Sequence, residues 1–299
     1  MDKTLDITVG IPSYNESYNL VRILHQILSQ KLPRNFKISE IIISDDSTDN
    51  TPLLINKLKE KHSDDKILFL HHDIRRGVSE AWNEIFQNAN GDIVVLYDAD
   101  ISITKDTTYN LVKHFVQKKE LGIIASSPRP YFSSSIAGRA SCCVGEWLRF
   151  IRTLCPDSQF TVMGRGLAIR GFLAKKIKIP KEVIACDLYL ACKVYEMGFK
   201  ISYADDAIIF FKPAESMRDF ASQVIRAFIG HRQLKNVMRN NIPSKISLKE
   251  QLGHFLKVAS GSVSNLLSTI IAYSALLIYF PIVFRGSCTT AWETAKTTK

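Results

Sequence analysis

Two carboxylates one residue apart, Asp98 and Asp100, follow directly on the apolar run Ile93–Tyr97. Such a run reads as a buried strand of a parallel sheet, whose end delivers both acids to the sheet's carboxyl edge. Open α/β sheets bind their ligands at that edge. Mg²⁺ takes one or two carboxylates together with phosphate oxygens, so the pair suits a divalent cation bridging a diphosphate. Taken alone it reads first as an ordinary polar junction between strand and turn. Two other loops at strand ends have a similar character, Pro12-Ser13-Tyr14-Asn15-Glu16 and Asp45-Asp46-Ser47-Thr48-Asp49-Asn50. Tyr14 offers a planar face to a base, Asp45 an acceptor for a base N–H, and the helix N-termini that follow offer donors to phosphates. Each loop by itself is normal N-capping chemistry; three on one edge are harder to assign to capping alone.

The elements that must position these loops alternate. Strand patterns at 7–11, 40–44, 66–71, 92–97 and 121–127 are separated by helical patterns at 17–31, 51–62, 78–89 and 107–119. That rhythm predicts an α/β fold with a doubly wound, mostly parallel sheet. After Pro128-Arg129-Pro130 it breaks. A loosely patterned helix is expected over 133–154, and a strand over 161–169 interrupted by Gly164-Arg165-Gly166. An amphipathic helix at 187–197 is closed by Gly198 in a left-handed cap. Short strands at 201–204 and 207–211 follow, then a basic helix at 217–239.

The 299 residues carry a net charge of +10, with 46% hydrophobic and 23% charged residues, which points to a globular chain with a substantial core. The basic excess lies late: Lys212, Arg218, Arg226, Arg232, Lys235, Arg239, Lys245 and Lys249 face only Glu215 and Asp219. It leads into residues 258–284, which hold no charged residue. About 20 apolar residues suffice to span a bilayer, so a membrane helix or membrane-embedded hairpin is expected there, with the preceding bulk in the cytoplasm. A buried C-terminal helix is the competing reading. A nucleic-acid reader would interleave aromatics with its basic stripe; this stripe runs into an apolar segment, so no nucleic-acid partner is expected. The six cysteines lack zinc-ligand spacing and read as reduced thiols. No signal peptide is expected. His71 and His72 lack a third ligand at useful spacing, and Trp82 and Trp147 read as core or acceptor-groove packing.

Val9–Glu16, Ile42–Thr51, and Gly77, Ala81-Trp82-Asn83, Ala89–Asp92 and Asp98–Asp100, in that order and spacing, resemble the family 2 glycosyltransferases of GT-A fold. The resemblance implies a nucleotide-sugar donor (UDP- or GDP-linked), Mg²⁺ or Mn²⁺, and inversion at the anomeric carbon. By position, Pro12, Tyr14 and Glu16 would line the base and ribose pocket and Asp45 would contact the base. Asp98 would sit on the ribose or metal, and Asp100 would bind the metal. Asp46 stands where the family has glycine, and Arg75-Arg76-Gly77 where Asn-x-Gly is common, placing Arg76 near the diphosphate. Gly164 and Arg165 match an acceptor-site segment.

Inverting transfer to a hydroxyl requires a general base. Asp187 is the candidate, because Cys186-Asp187 resembles the family's Glu-Asp motif at a helix start; an N-cap is the plain alternative. Gln223-Val224-Ile225-Arg226-Ala227 resembles the Gln-x-x-Arg-Trp region of cellulose, chitin and hyaluronan synthases, with alanine in place of tryptophan. Gln223 and Arg226 would then approach the diphosphate. The expected plan is a catalytic domain at 1–216 (nucleotide-sugar half 1–100, acceptor half 101–216), a basic interfacial helix at 217–249, and a membrane-associated segment and tail at 250–299. The function implied is sugar transfer to an acceptor hydroxyl on a glycan or lipid-linked acceptor at the cytoplasmic face of a membrane. A polyprenyl-phosphate acceptor, which needs no base, is the alternative, as is a non-catalytic basic membrane-surface or nucleic-acid-binding module.

Overall fold

The computed structural model describes residues 4–62, 66–158, 161–162, 164–234 and 247–286. The first half alternates β1 (Leu5–Ser13), α1 (Ser17–Leu28), β2 (Phe36–Asp45), α2 (Thr51–His62), β3 (Ile67–His71), α3 (Val78–Asn88) and β4 (Ile93–Tyr97). Then come β5 (Ile101–Ile103), α4 (Thr107–Val112), α5 (His114–Gln117), β6 (Leu121–Pro130), α6 (Ile136–Leu154), β7 (Gly166–Arg170) and α7 (Gly171–Lys176). The chain continues through α8 (Cys186–Glu196), β8 (Lys200–Phe211), α9 (Met217–Gln233), α10 (Leu248–Ala259) and α11 (Val263–Gly286).

Among the described residues the strands form one sheet in the order β3-β2-β1-β4-β7-β6-β8-β5. Strands β1 to β4 pair in parallel, as the alternating pattern requires. Beyond β4 the sheet keeps the parallel direction in β6 and β8, which pair in parallel, but not throughout. Strand β7 is antiparallel to β4 and β6, and β5 is antiparallel to β8, which makes the sheet mixed. The reason is local: Gly164 and Arg165 enter β7 at the carboxyl edge, so it runs back down the sheet. That reversal matters, because the Tyr97↔Gly166 pair and the Asp98 N–H donated to the Arg165 carbonyl (3.2 Å) bring residues 164–166 beside the two acids.

Every residue of β4 is buried, as its unbroken apolar run predicts. One core lies between the sheet and α1, α2 and α4; the other packs α3, α7 and α8 on the opposite face. Gly77 (φ 97°) turns the chain into α3, and Gly198 (φ 84°) closes α8, a conformation that favours glycine. The interrupted strand expected over 161–169 is confined to β7, while 201–211 form one continuous strand. The basic helix ends at Gln233; its expected continuation through Arg239 lies outside the described residues.

The apolar segment is also corrected. It is divided by the turn at 260–262 into α10 and α11, and among the described residues no helix is long and apolar enough to cross a membrane. Instead α11 packs on the domain through Ser268, Thr269 and Ala272, all buried, with Ala272 joining Ala137, Ala140 and Phe220 in a small third core. Its large apolar residues, Val263, Leu267, Ile270, Ile271, Leu277 and Ile278, face outward. Their spacing is that of one helix face. The usual arrangement is largely inverted: small and hydroxyl side chains lie inside, joined by Leu276 against the third core, and the other large aliphatics named lie outside.

Candidate active site

The carboxyl edge gathers Asp98 and Asp100 from the end of β4, Gly164 and Arg165 from the segment before β7, Asp187 from the first turn of α8, and Arg226 from α9. Asp98 and Asp100 are half-buried. Burial, then the Asp100 charge and that of Asp187, push the Asp98 carboxyl up to about 7, against the pull of Arg165 and Arg226. Arg165 lies 4.0 Å from Asp100 Oδ2 and is held by the ring of Phe211, 4.0 Å beneath its guanidinium. Burial and the neighbouring Arg165 lower the Arg226 pKa, which Asp98, Asp187 and Asp100 offset in part. Three acids and two guanidiniums therefore sit within electrostatic reach of one another.

Asp187 Oδ2 accepts the Gly164 N–H at 2.9 Å, and Oδ1 accepts the Leu188 N–H at 2.9 Å. The residue preceding the helix is Ala185, so Asp187 is not the N-cap; it is tied to the acceptor segment instead. Trp82, buried in the core, lies under Gly164: a Cβ there would stand 3.7 Å from Trp82 Cζ2. Cys186, where the family has glutamate, is buried with its thiol pKa raised by burial. Helix α9 reaches Asp187 because Gly230 lets it close on Ala185, where an added Cβ would be 2.8 Å away. Gln233 completes the clamp by accepting the Ile184 N–H (3.0 Å) and donating to the Glu182 carbonyl (2.6 Å). Gln223 lies three residues before Arg226 on α9 and so shares its face.

Sequence reasoning missed three residues here. His231 and Gln233 lie beyond the Gln223–Arg226 motif on α9, and Arg152 lies in α6, whose sequence pattern is loose. Arg152 is 4% exposed, with its pKa lowered to about 10 by burial and supported by Tyr203 and Asp187. His231 is lowered by burial, which Asp187 opposes. A buried arginine announces itself only through its environment, which the sequence does not print.

At the opposite end of the edge, Pro12 pairs with Ser44, and Glu16 accepts from Asn19 at 2.7 Å at the start of α1. Asn15, with a φ of 54°, joins the first two loops by accepting the N–H groups of Thr48 (2.8 Å) and Asp49 (3.3 Å). The Arg75 guanidinium lies 3.9 Å over the Tyr14 ring. The structure does not bring Arg76 to this edge as an open cation. Its side chain donates to Asp46 (3.0 Å), to both Glu84 oxygens (3.1 and 2.9 Å) and to Ser44 Oγ (3.0 Å). Asp46 also accepts the N–H groups of Arg76 (2.6 Å) and Gly77 (3.1 Å). The departure from glycine at 46 and the arginine at 76 are thus two halves of one ion pair.

A mixed sheet with helices on both faces, and acids at the end of its fourth strand, defines the GT-A class of fold. The family model described as "Glycosyl transferase family 2" matches residues 8–169, more than half of the chain, and the chain belongs to that family. The poly-beta-1,6-N-acetyl-D-glucosamine synthase of Staphylococcus aureus (strain COL) is 28% identical over 234 residues, 76% of this chain. The chain spans only 54% of that relative's length. The synthase of the same name from Staphylococcus epidermidis is 26% identical over 301 residues, covering 95% of this chain and 71% of the relative. Among solved structures, the mannosyltransferase PcManGT from Pyrobaculum calidifontis, in complex with GDP-Man and Mn²⁺, superposes with a TM-score of 0.61 at 21% identity, covering 99% of this chain and 85% of that one. Staphylococcus aureus TarS 1-349 in complex with UDP-GlcNAc gives 0.52 at 18% identity, covering 93% and 92%. At these identities the structural matches bear on the fold.

Proposed function

We propose that the chain transfers a sugar from a nucleotide-sugar donor, UDP- or GDP-linked, to an acceptor hydroxyl on a glycan, with inversion. The observation that carries this reading is the convergence of Asp98, Asp100 and Asp187 with Arg165 and Arg226 on one sheet edge. Asp187, steadied by the Gly164 N–H, takes the acceptor's proton as the hydroxyl attacks the anomeric carbon. Arg226 and Arg165 offset the charge that develops on the departing diphosphate.

Asp98 and Asp100 fit a divalent cation. Burial and the Asp100 charge push the Asp98 carboxyl up to about 7, and a cation held by the pair would favour its ionised form, the proton leaving to solvent. Among the described residues no three His, Cys, Asp or Glu side chains form a cage, and an open set of two carboxylates leaves room for diphosphate oxygens. Mg²⁺ or Mn²⁺ bound there would supply neutralisation of the leaving group. The relatives named as poly-N-acetylglucosamine synthases favour a glycan over a polyprenyl-phosphate acceptor, as does a carboxylate tied to the acceptor segment, since a phosphate needs no base.

The outward aliphatic face of α11, with Val263 76% and Leu277 81% exposed, supports seating against a bilayer surface. Arg218 and Arg232 of α9, both exposed, would meet anionic headgroups from the cytoplasmic side.

The test is release of nucleoside diphosphate from a panel of UDP- and GDP-sugars with Mn²⁺ or Mg²⁺, beside Asp100→Ala. Metal-dependent release of one diphosphate, abolished by the substitution, is the expected result. Absence of release with every donor and candidate acceptor, without thermal stabilisation by any donor, would instead favour a non-catalytic membrane module.

A further inference from the structure

Ser13, Asp45 and His71 stand in one register row across β1, β2 and β3, at the edge where the donor's base is expected. Asp45 is fully buried, and its oxygens are already engaged. Oδ1 accepts from Ser47 Oγ at 2.5 Å, while Oδ2 accepts the Ser47 N–H at 3.2 Å and lies 2.8 Å from His71 Nδ1. A carboxylate only accepts, so Nδ1 of His71 carries the proton in this contact, and Nε2 of the neutral ring is an acceptor. The imidazole lies on the solvent side of Asp45 with 28% of its side chain exposed. It stacks parallel to Phe69 at 6.0 Å and 13°, which fixes the ring plane. Asp73, 3.8 Å from Nε2, is itself fully solvated and holds it weakly.

We propose, resting on the donor-binding reading above, that His71 reads the donor's nucleobase and that Asp45 acts through it as a positioning residue. An outward ring acceptor pairs with a base that presents a ring N–H, N3–H in uracil or N1–H in guanine. It disfavours cytosine and adenine, whose ring nitrogens on that edge are acceptors themselves. Asn15, by tying the Tyr14 loop to residues 48 and 49, keeps the aromatic wall in register with this reader.

The experiment is calorimetric titration of the purified chain, with Mn²⁺, using UDP, N3-methyl-UDP, GDP and N1-methyl-GDP. It is run on the wild type, His71→Ala and His71→Phe; the last keeps the ring stack and lacks the nitrogens, and thermal melting confirms that each variant is folded. The wild type should bind UDP or GDP about tenfold more tightly than its methylated twin, the worth of one hydrogen bond. Both variants should lose that discrimination by weakening the unmodified diphosphate. A structural role for His71 would leave the ratio unmoved. Discrimination that survives in His71→Phe, or that is absent from a wild type that binds UDP or GDP, overturns the proposal and leaves the transferase reading standing. Failure of both UDP and GDP to bind removes the donor reading and this inference with it.

Discussion

Replacing Arg76 by methionine separates a structural cation from a diphosphate-binding one. The Arg76 side chain is 25% exposed, and its partners Asp46 and Glu84 are 5% and 19% exposed. Removing one member of a buried pair costs about 3–5 kcal/mol, because the remaining charge is left uncompensated. Partial exposure places Arg76→Met lower, at roughly 2–3 kcal/mol. At about 2–4 °C per kcal/mol for a domain of this order, the melting temperature should fall by roughly 4–12 °C. The double variant Arg76→Met/Glu84→Met should recover part of that loss, with a coupling of about 1 kcal/mol or more, since the two groups share hydrogen bonds. Differential scanning calorimetry supplies the melting temperatures and a donor titration in the transfer assay supplies KM. Arg75→Ala, which removes only the cation over Tyr14, should leave the melting temperature within about a degree, as surface changes do. An unchanged melting temperature in Arg76→Met, together with a tenfold rise in donor KM, would refute the structural assignment and return Arg76 to the diphosphate.

Other expectations follow from the same geometry. Asp187→Asn keeps the Gly164 contact and should lower kcat by about 10²–10⁴ with donor KM nearly unchanged; retained turnover on a hydroxyl acceptor would rule out Asp187 as the base. Leu267→Glu/Leu277→Glu should abolish co-flotation with anionic vesicles while leaving the melting temperature within about 1 °C, because both side chains are already exposed. Burial alone would raise the Glu84 pKa, but hydrogen bonds from Arg76 and Ser44 outweigh it and hold it below 4.5. Its contribution is therefore complete above about pH 4.5 and is lost as pH falls through the lower folded value. Arg76→Met should flatten that part of the acid-stability profile measured by urea unfolding. Gly230→Val should separate α9 from Ala185 and lower kcat more than it raises donor KM, which the transfer assay reads directly.

The alternating half of the fold was legible because its signals are local. Ile93–Tyr97 is apolar throughout since it is buried on both faces, and the loops after β1, β2 and β4 show their chemistry in consecutive residues. Gly198 was legible as a cap because a positive φ favours glycine. The reversed β7 was not, since strand direction depends on where the chain re-enters the sheet and not on the residues within the strand. Nor was the engagement of Arg76, whose partners Asp46 and Glu84 lie 30 and 8 residues away, or the burial of Asp45 behind His71. Composition marked 258–284 as apolar, but only packing decided which face of α11 turns inward: Ser268 and Thr269 are buried while Leu277 is exposed. The sequence by itself determined which side chains can do the chemistry. The tertiary structure decided which of them remain available to a substrate, because availability depends on neighbours that distant segments supply.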